Sequence, residues 1–93
     1  MLRLVTIDLG RAELDVFEAY EAKVLPLVDK HGGRLDLRVR AVDGSSETHL
    51  LYFPDVEAYE AFRADPFRQA AQDEWLSCGA TSSAVEVETV PGL

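Results

Sequence analysis

The chain is short of basic residues, of cysteine and of long apolar runs, and each shortage closes a class of function. Nine Lys and Arg stand against seventeen Asp and Glu, a net charge of −8. Phosphate recognition needs clustered cations, so neither a nucleic-acid partner nor an anionic membrane surface is expected. One cysteine, Cys78, allows no intrachain disulfide and no Cys/His zinc spacing. It points to a reducing compartment, the cytoplasm. No cationic neighbour lowers its pKa, so it is expected to be inert. The apolar stretch Leu2 to Leu9 is too short for a signal segment or a membrane span, and Asp8 interrupts it. There is no glycine-rich phosphate loop, nucleophile elbow or paired-carboxylate motif. Neither histidine, His31 or His49, has a partner at metal-ligand spacing, so no metal and no cofactor is expected.

What is present is enough for one domain, 1–93, with 47% apolar residues. A chain of this size buries roughly 60–65% of its unfolded surface, a thin core that a second copy would relieve.

Leu2 to Leu9 is rich in aliphatic and β-branched residues and predicts a strand. Phe17, Tyr20, Val24, Leu27 and Val28 make one apolar stripe of a helix, with the acidic residues mostly off it. Pro26 inside that helix predicts a bend, and Gly32-Gly33 its end. Arg34 to Val42 alternates, with Leu35, Leu37, Val39 and Ala41 opposing Arg34, Asp36, Arg38 and Arg40. Asp43 to Ser46 is a turn, and Thr48 to Phe53 the returning strand, with His49, Leu51 and Phe53 on one face. Asp55 is a suitable N-cap for a second helix whose apolar side is Val56, Tyr59, Phe62, Phe67, Ala70 and Ala71. Asp65-Pro66 breaks that helix and restarts it, and Gly79 terminates it. Thr81 to Val90 alternates as a last strand.

Strand, helix, strand, strand, helix, strand is the split βαβ plan. It predicts an α+β, ferredoxin-like domain: a four-stranded antiparallel sheet in the order 4-1-3-2, with both helices on one face. The uncovered face is then expected to carry Leu2, Leu4, Leu50 and Tyr52 beside Arg38, Arg40, Glu86 and Glu88. Apolar residues there mark a contact surface, most simply for a second copy.

Three segments carry a resemblance: KHGGRLDLR (Lys30 to Arg38), LLYFPDVEAYEAF (Leu50 to Phe62) and ADPFRQA (Ala64 to Ala70). With them the chain resembles the dimeric α/β-barrel superfamily, and most of all a small bacterial family of unknown function. That family shows the Gly-Gly, the Phe-Pro turn and the Asp-Pro-aromatic step in the same order. Relatives include cofactor-free antibiotic-biosynthesis monooxygenases and muconolactone-isomerase-like enzymes. The resemblance implies a sheet-to-sheet homodimer with a ligand cavity between sheet and helices. Where the family often carries Glu before Phe-Pro, this chain has Tyr52, so no role for that acid carries over.

The candidate site residues follow from chemistry and place. His49 is a possible general base near neutral pH, or else a hydrogen-bonded core residue. Arg38 offers a guanidinium fork for a carboxylate, or else protects an edge strand from pairing. Tyr52, Tyr59 and Trp75 belong to an aromatic set that is either core or the lining of a ligand pocket. Three functions remain open. The first is a homodimer that binds an apolar or aromatic small molecule between sheet and helices. The second is a cofactor-free monooxygenase or isomerase acting on a phenolic or polyketide-like substrate. The third is a structural dimerisation module. A deep, closed cavity with His49 or Arg38 on its wall favours the second, a solvent-open cleft lacking polar groups the first, and a packed interior with no cavity the third.

Overall fold

A computed structural model describes residues 1–92. Four strands, β1 (Leu2–Asp8), β2 (Arg34–Arg40), β3 (Ser46–Tyr52) and β4 (Thr81–Val87), form one antiparallel sheet in the order β2-β3-β1-β4. That is the anticipated ferredoxin-like arrangement. The helical layer consists of α1 (Leu14–Val24), α2 (Pro26–Lys30), α3 (Val56–Arg63), α4 (Pro66–Ala70) and α5 (Gln72–Cys78).

Each expected helix is divided further than the apolar pattern suggested. Pro26 does not bend one continuous helix; it starts α2, with Leu25 between it and α1. The second helical region restarts at Pro66 as expected, and divides again at Ala71. The stripe residues Phe17, Tyr20, Val24, Leu27 and Val28 are all buried. Val56 and Phe67, expected on the apolar side, are instead exposed.

Two positions show why the chain turns where it does. Gly32 has φ +78°, and Gly33 donates to the Val28 carbonyl at 2.9 Å, which closes the end of α2. A Cβ on Gly33 would lie 2.6 Å from the Tyr52 carbonyl oxygen, so only glycine lets the chain enter β2 this close to β3. At the other break, buried Asp65 caps α4 by accepting from the Phe67 amide at 2.8 Å. It also accepts from Lys30 Nζ at 2.8 Å and lies 2.7 Å from His31 Nε2. These contacts from Lys30 and His31 hold its carboxyl well below the usual carboxylate range. His31 thus fastens the end of α2 to the start of α4.

The strand faces differ from expectation in one consequential way. Along β3, buried and half-buried residues alternate, and Glu47, His49 and Leu51 lie under the helices. In β2 the register slips between Leu35 and Leu37. Leu35 pairs with Leu51 beneath the helices, but Leu37 pairs with Leu50 and Val39 with Thr48, on the open face. Arg38 and Arg40, paired with His49 and Glu47, therefore point inward, not to the open face. In β4, Val85 and Val87 pair with Leu4 and Leu2 on the open face, while Glu86 pairs with Arg3 on the helix side. Glu88 lies beyond the strand. The open face is more apolar than the sequence suggested, with Leu37, Val39 and Val85 exposed by 45%, 47% and 53%.

Candidate functional site

Between the sheet and the helices lies a cavity of about 570 Å³. Val5, Ile7 and Leu51 floor it from the sheet, and Val24, Phe62 and Trp75 wall it from the helices. Tyr20 and Trp75 stack at 5.3 Å between ring centroids, and Phe53 packs behind Tyr59 at 5.5 Å and Phe62 at 5.3 Å. The lining is mixed: aromatic and aliphatic side chains share it with Glu21, His49, Arg63, Arg68, Gln69 and Gln72, polar groups able to fix a ligand's orientation.

Two of those polar groups are Glu21, from the middle of α1, and His49, from the middle of β3. They are 4% and 3% exposed. With Glu47, 2% exposed, they form a cluster whose donor atoms all lie within 4.8 Å of one another. The two carboxyls in this cluster are in opposite states. Glu47 accepts from Arg38 Nε at 3.1 Å and from Arg40 Nε and a terminal nitrogen at 3.0 and 2.7 Å. His49 Nε2 lies 2.6 Å from its other side. Burial alone would raise the Glu47 carboxyl, but the hydrogen bonds from His49, Arg40 and Arg38 outweigh it and hold the group below its ordinary value. An ionised carboxylate only accepts, so His49 Nε2 carries the hydrogen. In the neutral ring Nδ1 is then left with its lone pair. Both arginines reach on to Glu18 of α1, which Arg40 holds below its ordinary value.

No such donors reach the Glu21 carboxyl among the described residues. Burial pushes it up, the negative charge of Glu47 adds to this, and the result is about 7. A carboxyl poised there is present as acid and as base at neutral pH, which is what general acid–base chemistry needs. Glu21, Glu47 and His49 are also a donor set of the kind that binds a cation. Here, however, the oxygens of Glu47 are already engaged by two guanidinium groups, which a cation would have to displace.

Of the candidate residues read from the sequence, His49, Tyr59 and Trp75 line the cavity. Arg38 does not; it sits behind His49, on Glu47. Tyr52 faces the open side, where the Arg34 guanidinium lies 4.2 Å from its ring centroid. Glu21 was missed. Its spacing held the signal, four residues after Phe17 and three before Val24, on the buried stripe itself. Cys78 is buried and donates to the Trp75 carbonyl, in keeping with an inert thiol.

The sequence matches no protein-family profile and no curated protein. Solved structures do match. SnoaB, a cofactor-independent oxygenase from Streptomyces nogalater, aligns with a TM-score of 0.72 at 13% identity over 96% of this chain and 94% of its own. A dimeric ferredoxin-like protein of unknown function from Jannaschia sp. CCS1 gives 0.66 at 16% identity over 94% and 100%. An uncharacterized NIPSNAP domain protein from Burkholderia xenovorans gives 0.62 at 19% identity over 99% and 100%. At these identities the likeness establishes the architecture: this chain has the ferredoxin-like fold on which a cofactor-independent oxygenase and a dimeric protein of unknown function are also built.

Proposed function

We propose that the protein is a homodimeric, cofactor-free enzyme that takes a proton from an apolar phenolic or enolisable substrate held between sheet and helices. The observation that carries this reading is Glu21, a carboxyl raised to about 7 beside His49 on the cavity wall. A cavity meant only to hold a ligand gains nothing from a buried carboxyl with no hydrogen-bond donor. Such a group costs stability, and sites of this kind cluster where protons are moved.

Glu21 takes the proton, and His49, oriented by Glu47, is the second acceptor on the same wall. The substrate anion that remains is electron-rich. In the isomerase form of the chemistry it is reprotonated at another carbon. In the monooxygenase form it gives electrons to dioxygen, so that an activated CH₂ and O₂ become C=O and H₂O. SnoaB, described as cofactor-independent, supports the second form by analogy of fold. The partner copy covers the open sheet face, where Leu37, Val39 and Val85 stand in solvent. No helix among the described residues is long and apolar enough to cross a membrane.

The test uses an anthrone in air-saturated buffer, with dioxygen uptake and quinone formation followed together. A parallel incubation in D₂O reads solvent deuterium in recovered substrate. The parent protein accelerates one of the two, and Glu21→Gln slows it by about 100-fold. If neither process exceeds the rate in buffer while the anthrone still quenches Trp75, the protein is a binder and the catalytic reading fails.

A further inference from the structure

The distribution of unpaired positive charge suggests what the ligand carries. Of nine basic side chains, five are ion-paired: Lys23 with Glu74, Lys30 with Asp65, Arg34 with Asp36, and Arg38 and Arg40 with Glu47. Arg3, Arg11, Arg63 and Arg68 have no carboxylate at ion-pair distance among the described residues. In a chain with seventeen acidic residues, such freedom is unexpected. Three of the four gather on one pair of aromatic rings. The guanidiniums of Arg3 and Arg63 lie 4.5 and 5.9 Å from the Tyr59 ring centroid, and that of Arg68 lies 5.4 Å from Phe62. Tyr59, Phe62, Arg63 and Arg68 all line the cavity that holds Glu21 and His49.

Two of these guanidiniums are also incompletely bonded. The Nε–H groups of Arg3 and Arg68 are buried and have no hydrogen-bond partner. A buried charged donor left empty is costly, and native proteins keep few such groups. Arg3 faces Glu86 in register across β1 and β4, yet no ion pair forms. Arg68 spends one terminal nitrogen on the Arg63 carbonyl at 3.2 Å, which fixes the side chain without satisfying its Nε. The field of Arg68 also reaches Tyr20, where burial raises the phenol and Arg68 opposes it.

We propose that Arg68 and Arg63, backed by Arg3, form an anion-binding subsite that selects ligands bearing a carboxylate. The inference rests on the cavity reading above and deepens it: among phenolic or enolisable ring systems, those that also bear a carboxylate are preferred. A guanidinium fork matches two carboxylate oxygens, and the rings of Tyr59 and Phe62 lie close enough to attract each guanidinium.

Binding of 2-naphthoate and of its neutral amide, 2-naphthamide, to the full chain tests this, followed by quenching of Trp75. The acid is expected to bind about tenfold more tightly than the amide, with the advantage shrinking as salt is added. Arg68→Gln abolishes the advantage, and Arg68→Lys, which keeps the charge but not the fork, restores part of it. Arg11→Gln, an exposed site off the cavity wall, leaves it intact. Equal affinity for acid and amide, or an advantage undiminished in Arg68→Gln, overturns the subsite while leaving the cavity standing. Failure of both probes to bind overturns the cavity reading and the subsite together.

Discussion

One face of the sheet lies under five helices and yet holds Glu47, His49, Arg38 and Arg40. The other lies open and carries Leu2, Leu4, Leu37, Val39, Leu50 and Val85. Charge is inside and grease is outside, the reverse of what solvent alone would select. The two anomalies have different physical meanings. Exposed apolar surface is relieved by any partner that excludes water, so the open face speaks of assembly. Buried charge is costly wherever it sits, and is tolerated here because Arg38 and Arg40 neutralise Glu47. The Glu21 carboxyl has no such donors among the described residues, and so the covered face speaks of chemistry.

The comparison breaks most visibly at the open face. Leu4→Asp puts a charge at the centre of the sheet, on β1 between β3 and β4. The expected result is complete conversion of the proposed dimer to a monomer in size-exclusion chromatography. An elution volume identical to that of the parent would remove the open face as the contact surface. The covered face is probed by stripping Glu47 of its cations. Arg38→Met with Arg40→Met leaves an unpaired buried carboxylate, at a cost of roughly 3–5 kcal/mol in urea unfolding at pH 7. The cost shrinks as the pH falls, because Glu47 then takes up a proton. Adding Glu47→Leu to the pair removes the stranded charge and recovers most of the loss. A double variant as stable as its parent at pH 7 would show that the cluster is not what balances this face.

How much of this was legible beforehand depended on the kind of signal. The fold was written in punctuation: Gly32-Gly33, Pro54-Asp55, Asp65-Pro66 and Gly79 each stop or start an element for a local reason, and the structure places breaks at each. The sheet faces were half legible. The alternation of β2 runs unbroken from Arg34 to Arg40, and nothing in it marks the slip between Leu35 and Leu37 that turns Arg38 and Arg40 inward. The partner strand held the clue, because Glu47 shares a face with His49 and Leu51, and a buried acid needs cations from somewhere. His49, Tyr59 and Trp75, singled out because histidine and aromatics are conspicuous, do line the cavity. Arg38 was misplaced because its face depends on register, which belongs to two strands and not to one; Tyr52 lies on the open face where the alternation put it, and so away from the cavity. Glu21 was hidden among the acidic residues Glu13, Asp15 and Glu18 at the start and along α1, all of them exposed.

Glu21 also gives the smallest and most specific effect. Its folded-state carboxyl is raised from 4.5 to about 7, so the folded chain holds this proton more tightly than the unfolded one. Between those values the folded state binds more protons, and stability falls as the pH rises. Below about 4.5 the group is protonated in both states and costs nothing extra; above about 7 the full penalty is present, at most about 3 kcal/mol. Glu21→Gln removes the ionisation and keeps the shape. It is expected to raise stability at pH 8 by up to that amount, to leave it unchanged at pH 4, and to flatten the slope between them. Urea midpoints at several pH values check this without any substrate. A slope that survives the substitution would mean that the neutral-range proton belongs to another group, and the acid–base role would have to move with it.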